Sequence, residues 1–300
     1  MLCFLLLVGS FFRAPFSFAL EVAITMDDPM VEQSDLTSFV EVNQSILDTL
    51  ARHQLKAYLF VCGERVDSEL GRGILNEWDE AGHGLGDHTY SHLDFGTASV
   101  TLKKFLADGD RNERVLKHVR NRVPYFRFPF LHEGDTKAKR DGAREYLKKR
   151  RLRNGYVTID ASDWAISARL VKAQNQGSKA LSKYRDFYIK HILDRVQYYD
   201  NLAKKLFKRE IKHTLLLHHN VLNALFLGDL LDAMKKKGIR LIDAENAYQD
   251  PVYKQSPYIV PAGQSLIWAL AKATPVLAGG LRYPGEDEIY EKKAMDSAGL

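Results

Sequence analysis

The chain has 300 residues, 45% of them apolar and 27% charged, with 20 glycines and 9 prolines. This composition excludes a disordered or fibrous chain and is typical of a globular protein, with room for one large domain or two of ordinary size. The formal net charge of +5 is modest, and much of the excess lies in residues 137–155.

The N-terminal segment MLCFLLLVGSFFRAPFSFAL is apolar but too short to span a bilayer. It ends in Ser17, Phe18 and Ala19, a small-x-small pattern typical of the cleavage site of a secretory signal peptide. We therefore predict a signal peptide over residues 1–19 and a secreted or periplasmic location, with a buried first helix as the alternative. No later segment is long and apolar enough to predict a stable membrane span.

Short β-rich runs alternate with helical patterns along most of the chain. The runs are 21–26, 55–61, 83–86, 124–128, 155–159, 213–217 and 238–242, and the helical patterns lie near 35–53, 68–80, 99–120, 137–151, 179–209 and 223–237. This alternation predicts an α/β fold of parallel strands joined by right-handed crossovers. So many repeats within this length favour a single closed or nearly closed β/α barrel over two domains.

We place this barrel domain at residues 20–243. Residues 244–300 contain proline and glycine at several points and are predicted to form a C-terminal extension that packs on the barrel, with one helix at QSLIWALAKA. The segments 160–180 and 243–262 are expected to be the loops that set substrate preference.

The basic stretch KAKRDGAREYLKKRRLRNG, residues 137–155, contains nine Lys or Arg residues and two acidic ones. We interpret it as the solvated face of an amphipathic helix whose buried side is formed by Tyr146, Leu147 and Leu152. A polyanion-binding patch is the alternative. The stretch lacks the interleaved aromatic residues that single-stranded nucleic acid needs, and no nucleic-acid partner is expected.

Side chains capable of chemistry follow five of the predicted strands at the same end. They are Asp27 and Asp28, His88 and His92, Arg127, Asp160 and Asp163, and His218 and His219. In a β/α barrel the active site is built from the C-terminal ends of the strands. We therefore expect these residues to meet in one cleft, although they are far apart in the sequence.

His88 and His92 stand at i and i+4 in GDHTYSHLDF, a spacing that places both imidazoles on one face of a helical turn. With a carboxylate from another strand end they would form a His₂Asp metal set with open positions for water, the pattern of a catalytic site. Of Asp27 and Asp28, one could bind the metal while the other stays free as a general base. A turn or helix-cap role for the Asp-Asp-Pro sequence is the alternative.

Five short motifs in order along residues 21–243 resemble those of the polysaccharide deacetylase family, carbohydrate esterase family 4. They are TMDDP at 25–29, HTYSH at 88–92, RFPF at 127–130, DASDW at 160–164 and LLH at 216–218. The chain departs from the family pattern at Met26, at Pro29 in place of glycine and at Phe130 in place of tyrosine. The resemblance implies a distorted (β/α)7 barrel, which agrees with the strand count.

The resemblance also implies which residues bind the metal and which removes a proton from water. By this resemblance Asp27 is the catalytic base and Arg127 orients it. The metal ligands would be Asp28, His88 and His92.

On the other side of the implied site, His218 would be the general acid and Asp163 would tune it. Trp164 and Leu216 would form apolar walls around the acetyl group. The main-chain N–H of Phe130 would donate to the oxyanion, a role that does not need the missing tyrosine hydroxyl.

His219 competes with His218 for the role of general acid. It lies on the opposite side of the strand, and the register of the LLH motif favours His218.

The function implied is metal-dependent removal of N-acetyl groups from GlcNAc-type sugars, with an N-acetylated glycan as substrate. The cofactor would be a divalent metal, with Zn²⁺ favoured and Co²⁺, Ni²⁺ or Mn²⁺ compatible with the same ligands. Two alternatives remain: a related metal-dependent hydrolase of another non-peptide C–N bond, and a non-catalytic carbohydrate-binding protein of the same fold. The motifs do not select among chitin-like, peptidoglycan and other glycans.

Overall fold

The computed structural model describes residues 20–29, 37–178, 180–282 and 288–300. The predicted signal peptide at residues 1–19 lies outside these ranges. None of the helices in the described part of the chain has the length and apolar character that a membrane span requires.

A sheet of parallel strands forms the centre of the molecule. The strands of the described residues are β1 Glu21–Asp27, β2 Tyr58–Val61, β3 Gly84–Asp87, β4 Arg122–Phe126, β5 His132–Gly134, β6 Arg153–Asn154, β7 Lys212–His218, β8 Arg240–Ile242 and β9 Ala262–Gly263. All of these except β5 and β9 belong to the central sheet. The order across the main sheet is β6-β4-β3-β2-β1-β7, and β8 also pairs with β1. β7 pairs with β1 along its whole length, from Glu21↔Lys212 to Asp27↔His218. The register therefore places Asp27 and His218 side by side at one end of the sheet.

The strand predicted at 155–159 is wrong in its extent. The structure has the two-residue β6 beside β4, followed by an isolated bridge between Ile159 and Leu215 of β7. The strand is short because the side chain of Thr158 bonds to the main chain of Thr214. The Thr158 hydroxyl accepts from the main-chain N–H of Thr214 at 2.9 Å and donates to the Thr214 carbonyl at 3.2 Å. These side-chain bonds take the place of a regular ladder. The sheet thus curls into a half-barrel that this short segment joins to β7.

Helices surround the sheet. They are α1 Phe39–Arg52, α2 Gly63–Val66, α3 Glu69–Glu80, α4 Leu102–Leu116, α5 Lys137–Lys149, α6 Asp163–Asn175, α7 Leu181–Phe207, α8 Val221–Lys236, α9 Ala244–Tyr248, α10 Leu266–Lys272, α11 Pro275–Ala278 and α12 Ile289–Ser297. The six predicted crossover helices are confirmed, with ends shifted by a few residues. Side-chain caps explain several starts: Ser38 accepts from the N–H of Glu41 in a capping box, and Thr101 and Thr136 cap α4 and α5.

Helices α2 and α6 were not predicted from the sequence. The segment 160–180 was expected to be a loop, yet α6 occupies most of it. Buried residues such as Ala165, Ile166 and Ser167 follow one another along α6, so the helix lacks the polar face that produces a clear 3.6-residue period.

The C-terminal segment contributes to the inner face of the half-barrel. Tyr248 of α9 stacks on Tyr125 and Tyr58, with ring centroids 4.3 and 5.6 Å apart. The predicted helix at QSLIWALAKA is confirmed as α10, and β9 pairs with β5 in a small antiparallel sheet. The boundary between barrel and extension at residue 243 stays a prediction.

The basic stretch forms α5, and the amphipathic interpretation is confirmed for its buried side, where Leu147 is 4% exposed. Two of its arginines are not solvated, however. Arg144 donates to the Glu133 carboxylate and to the carbonyl of Pro257, and Arg140 donates to the carbonyl of Tyr258. These bonds hold the C-terminal segment against the barrel.

Two glycines make room for the ring of Phe60 on the inner face. Phe60 is fully buried, and the guanidinium of Arg127 lies 3.8 Å above its ring centroid. A Cβ at Gly86 would come within 2.7 Å of this ring, and one at Gly155 within 2.5 Å. The missing side chains therefore allow the aromatic surface that supports Arg127.

We expect Gly86→Ala to lower the free energy of unfolding by about 1–3 kcal/mol, because the added methyl overpacks against Phe60. Gly73 of α3 is the matched control, since its Cβ would meet nothing within 4 Å. Gly73→Ala should raise stability by about 0.5–1 kcal/mol through helix propensity. Urea unfolding of both variants measures the difference, and equal stability of the two would contradict this account of the inner face.

Candidate active site

Residues at the C-terminal ends of β1, β3 and β7 line a cleft of about 300 Å³. Eight of the ten predicted site residues line this cleft: Asp27, Asp28, His88, His92, Phe130, Trp164, Leu216 and His218. Arg127 and Asp163 lie behind it, each hydrogen-bonded to one of the lining residues. The fold thus brings the whole predicted set together.

Asp28, His88 and His92 bring their potential ligand atoms within 4.8 Å of one another. His92 Nε2 is 3.3 Å from Asp28 Oδ2, and His88 Nε2 is 3.9 Å from Asp28 Oδ1. Atoms that bind the same metal ion each lie about 2 Å from it. They are therefore separated from one another by distances like those between these three side chains. This arrangement has the donor types and spacing of a catalytic His₂Asp site.

The hydrogen bond of His88 fixes which of its nitrogens can bind a metal. Nδ1 lies 2.9 Å from the carbonyl oxygen of Arg127, and because a carbonyl only accepts, Nδ1 carries the proton and donates. Nε2 keeps its lone pair and faces Asp27 Oδ2 at 3.6 Å. Burial lowers the pKa of His88 to about 4, so the imidazole is neutral at pH 7, the form that binds metals.

Asp28 is ionised and has an unsatisfied oxygen. Burial alone would raise its pKa, but the hydrogen bond and charge of His92, with the charges of His88 and Arg65, hold the pKa of Asp28 well below its usual range. Its Oδ1 is buried and has no hydrogen-bond partner among the described residues, whereas buried carboxylate oxygens normally have one. A cation would satisfy this oxygen, so the residues present fit a divalent metal.

Arg127 holds Asp27 from behind the cleft. It is fully buried and donates through Nη1 to Asp27 Oδ1. Its other donors reach the Gly155 carbonyl at 2.8 Å, the Thr25 hydroxyl at 3.1 Å and the Tyr248 hydroxyl at 3.0 Å. The guanidinium is therefore anchored on four sides, and it fixes the orientation of the Asp27 carboxylate.

His218 ends β7, and its Nδ1 lies 2.7 Å from Asp163 Oδ1. Burial alone would lower the pKa of His218, but the charge and hydrogen bond of Asp163, with the charges of Asp27 and Asp28, raise it to about 9. At neutral pH His218 is therefore protonated, and its Nε2–H is available to the cleft.

The rival His219 lies on the other side of β7 and is fully buried. Its Nε2 is 3.0 Å from the Asn43 side-chain oxygen, and its ring packs near Trp78. His219 and Asp160 are absent from the cleft lining. The structure thus brings His218 into the cleft and His219 into the core.

Apolar side chains form much of the cleft wall. Leu216 of β7 packs with Leu131 in a small buried cluster, and Trp164 stands at the start of α6. The ring of Phe130 is in edge contact with that of His92, with centroids 4.6 Å apart. These residues form a lining suited to a small apolar group such as a methyl.

Residues with left-handed backbone conformations gather around the cleft. They are Asp28 (φ 55°), Thr89 (φ 63°), His92 (φ 52°), Phe130 (φ 55°), Leu131 (φ 56°) and Ser162 (φ 48°). The segment 88–92 is consequently not the helical turn that the i, i+4 spacing predicted, although the two imidazole centroids are 5.0 Å apart. Such conformations cost about 1–3 kcal/mol each and concentrate at functional sites.

Several residues of the site were not predicted from the sequence. Arg65 follows β2, one of the two predicted strands with no candidate residue at the C-terminal end, and its Nη1 is 3.1 Å from Asp28 Oδ2. Tyr248 lies beyond the motifs, and no sequence signal pointed to it. Asn220 and Asn223 donate to Asp163 Oδ2 at 3.1 and 2.7 Å. Their position just after His218 is the sequence feature from which they could have been predicted.

Part of this sequence is similar to known polysaccharide deacetylases. The model of the polysaccharide deacetylase family matches residues 20–146. A peptidoglycan-N-acetylglucosamine deacetylase of Bacillus cereus is 33% identical over 117 residues, which cover 38% of this chain and 37% of that protein. The match therefore spans just over a third of the relative's length.

Among solved structures, a mutant of a carbohydrate esterase family 4 pseudoenzyme of Bacillus anthracis has a TM-score of 0.53 at 15% identity, covering 76% of this chain and 67% of that chain. A chitin deacetylase of the fungus Colletotrichum lindemuthianum has a TM-score of 0.51 at 16% identity, covering 78% of this chain and 89% of that chain. At such low identity these two likenesses establish the fold alone. The family match and the relative thus confirm the resemblance to the polysaccharide deacetylase family, carbohydrate esterase family 4, over residues 20–146, and the two structures confirm the fold.

Proposed function

We propose that this protein is a metal-dependent hydrolase that removes N-acetyl groups from GlcNAc-type sugars of a polysaccharide or oligosaccharide. One observation carries the proposal: a single cleft holds a carboxylate anchored by arginine, a three-residue metal-binding set and a protonated imidazole. The family match over residues 20–146 and the similarity to a peptidoglycan-N-acetylglucosamine deacetylase of Bacillus cereus support the same reaction.

In this proposal Asp28, His88 and His92 hold the divalent ion, with Zn²⁺ favoured and Co²⁺, Ni²⁺ or Mn²⁺ also suited to the ligands. A bound ion supplies Lewis acidity toward the acetyl carbonyl and lowers the pKa of water toward about 7. The neutral His88 and the ionised Asp28 are already in the protonation states that binding requires.

Asp27 acts as the general base. Arg127 occupies its Oδ1, which leaves Oδ2, on the His88 side, to take a proton from the attacking water. Because the guanidinium is held by several other groups, the carboxylate cannot rotate freely away from this position. Such positioning is what general-base catalysis requires.

His218 acts as the general acid. The water oxygen adds to the acetyl carbonyl carbon, and the main-chain N–H of Phe130 is proposed to donate to the resulting oxyanion. His218 then gives its Nε2 proton to the sugar nitrogen as the C–N bond breaks, releasing acetate and a free amine. Trp164 and Leu216 would surround the acetyl methyl.

The proposed location remains outside the cell or in the periplasm. The support for this location is the signal-like sequence of residues 1–19.

The proposed reaction is tested by acetate release from a panel of N-acetylated glycans, measured with and without chelator and after Zn²⁺ is restored. We expect acetate release that disappears with chelator and returns with metal. No acetate from any glycan, in a protein that binds one metal ion per chain, would favour hydrolysis of another C–N bond or a non-catalytic binding role. No metal binding at all would contradict the proposed site.

We expect Asp27→Asn to lower kcat by about 10²–10⁴-fold, the usual contribution of a proton-transfer residue, without loss of metal. His88→Ala is the matched variant, and it should lose both metal and turnover. Metal content per chain and kcat, measured on the same preparations, separate the two effects. Near-normal turnover of metal-loaded Asp27→Asn would contradict the role of Asp27.

Replacing Asp163 should move the pH dependence of the reaction. The Asp163 carboxylate raises the pKa of His218, so His218 is the acid below about pH 9 and loses its proton above that value. Asp163→Asn removes the charge, and the alkaline limb of the kcat/KM profile should shift down by about 1–2 pH units. The control is Asp186→Asn, which makes the same charge change on an exposed residue of α7. An unshifted limb in Asp163→Asn would contradict the assignment of His218.

A further inference from the structure

Arg65 is a cation in the cleft to which neither the motifs nor the proposed mechanism assigns a role. It is the one Lys or Arg side chain among the described residues that line the cleft. Arg127, the other arginine nearby, lies behind the cleft and already has four hydrogen-bond partners. Arg65 is therefore the arginine that a bound substrate can reach.

Backbone hydrogen bonds hold the residues before Arg65 against the segment 88–92. At the start of α2, Gly63 N–H donates to the Thr89 carbonyl at 3.1 Å and Glu64 N–H to the Tyr90 carbonyl at 2.8 Å. A Cβ at Gly63 would lie 2.3 Å from Asn112 Oδ1, so glycine allows this close approach. The backbone that carries Arg65 is thus fixed next to the segment that carries His88 and His92, a support that a binding residue needs.

The contact of Arg65 with Asp28 leaves the guanidinium only partly satisfied. Arg65 Nη1 is 3.1 Å from Asp28 Oδ2, yet it is buried and has no hydrogen-bond partner with good geometry among the described residues. The side chain as a whole keeps 29% of its surface exposed. When Asp28 binds a divalent ion, its negative charge is shared with that ion, and less of it remains for Arg65.

The charge balance of the cleft then favours an anion. The carboxylates of Asp27, Asp28 and Asp163 are opposed by the guanidinium groups of Arg65 and Arg127 and by a divalent ion. Even with His218 counted as neutral, one positive charge remains in excess. Low-dielectric walls strengthen its attraction for an anionic group.

Building on the proposed deacetylase function, we propose that Arg65 is a specificity-determining residue that binds a carboxylate of the glycan close to the N-acetyl group being removed. A guanidinium presents paired N–H donors that match the two oxygens of a carboxylate. The preferred substrate is accordingly an N-acetylated glycan that carries acidic groups on or beside the reacting sugar, rather than a neutral one.

The test uses two matched probes: an N-acetylhexosamine oligosaccharide with a carboxylate on alternate sugars, and the same oligosaccharide with each carboxylate converted to a carboxamide. Affinities are measured by calorimetry with the metal-loaded Asp27→Asn protein, which is expected to bind without turnover. Arg65→Gln in this background should reduce the ratio of the two affinities, acidic over amidated, by about tenfold, the usual effect of losing a charged hydrogen bond. Arg65→Lys, which keeps the charge, should retain part of the ratio.

Arg72→Gln is the control, because it removes an arginine that pairs with Asp67 and does not line the cleft. It should leave the affinity ratio unchanged. An equal loss of affinity for both probes in Arg65→Gln, or no loss, would overturn the proposal and leave Arg65 as structural support for Asp28. If the parent enzyme released no acetate from either probe or from any glycan of the panel, the proposed function itself would fail, and this outcome is distinct from a lost preference.

Discussion

The buried ion pair between Arg127 and Asp27 is the interaction on which the rest of the site depends. Removing two charges from water is costly, and an interior pair is tolerated only when every remaining donor is satisfied. Here the donors are satisfied by Gly155, Thr25 and Tyr248. These partners come from β1, from the irregular segment after β6 and from α9, so the pair joins parts of the chain that the sheet alone does not connect.

This dependence explains the composition of the inner face. The guanidinium needs a flat surface, which Phe60 provides, and the ring of Phe60 needs space, which Gly86 and Gly155 provide. Tyr248 completes the enclosure by stacking on Tyr125 while its hydroxyl accepts from Arg127. Packing on this face therefore fixes the carboxylate of Asp27, the proposed general base.

The sequence predicted the sheet and most of the site because both follow from regular features. Buried strands show a plain apolar pattern, and the barrel rule brings their C-terminal ends together. Arg65 was missed because a four-residue helix has too few residues to show a period, and α6 because it is buried on several sides. Tyr248 could not be found because its partner Arg127 is 121 positions away, and no local pattern encodes such a contact.

The short connection between Ile159 and Leu215 has a consequence for how this protein would lose its structure. The segment before Asp163 is joined to β7 by this bridge, by the hydrogen bonds of Thr158 and by one bond from the Thr214 hydroxyl to the Tyr156 carbonyl. In contrast, β1, β2 and β3 form continuous ladders. Regions with few ladder bonds open at lower free energy than the global transition. Local opening would thus separate Asp163 from His218, which β7 keeps beside Asp27, while the His₂Asp set stays together. The weakest connection of the half-barrel therefore lies between the proposed general acid and the carboxylate that raises its pKa, and away from the proposed metal site.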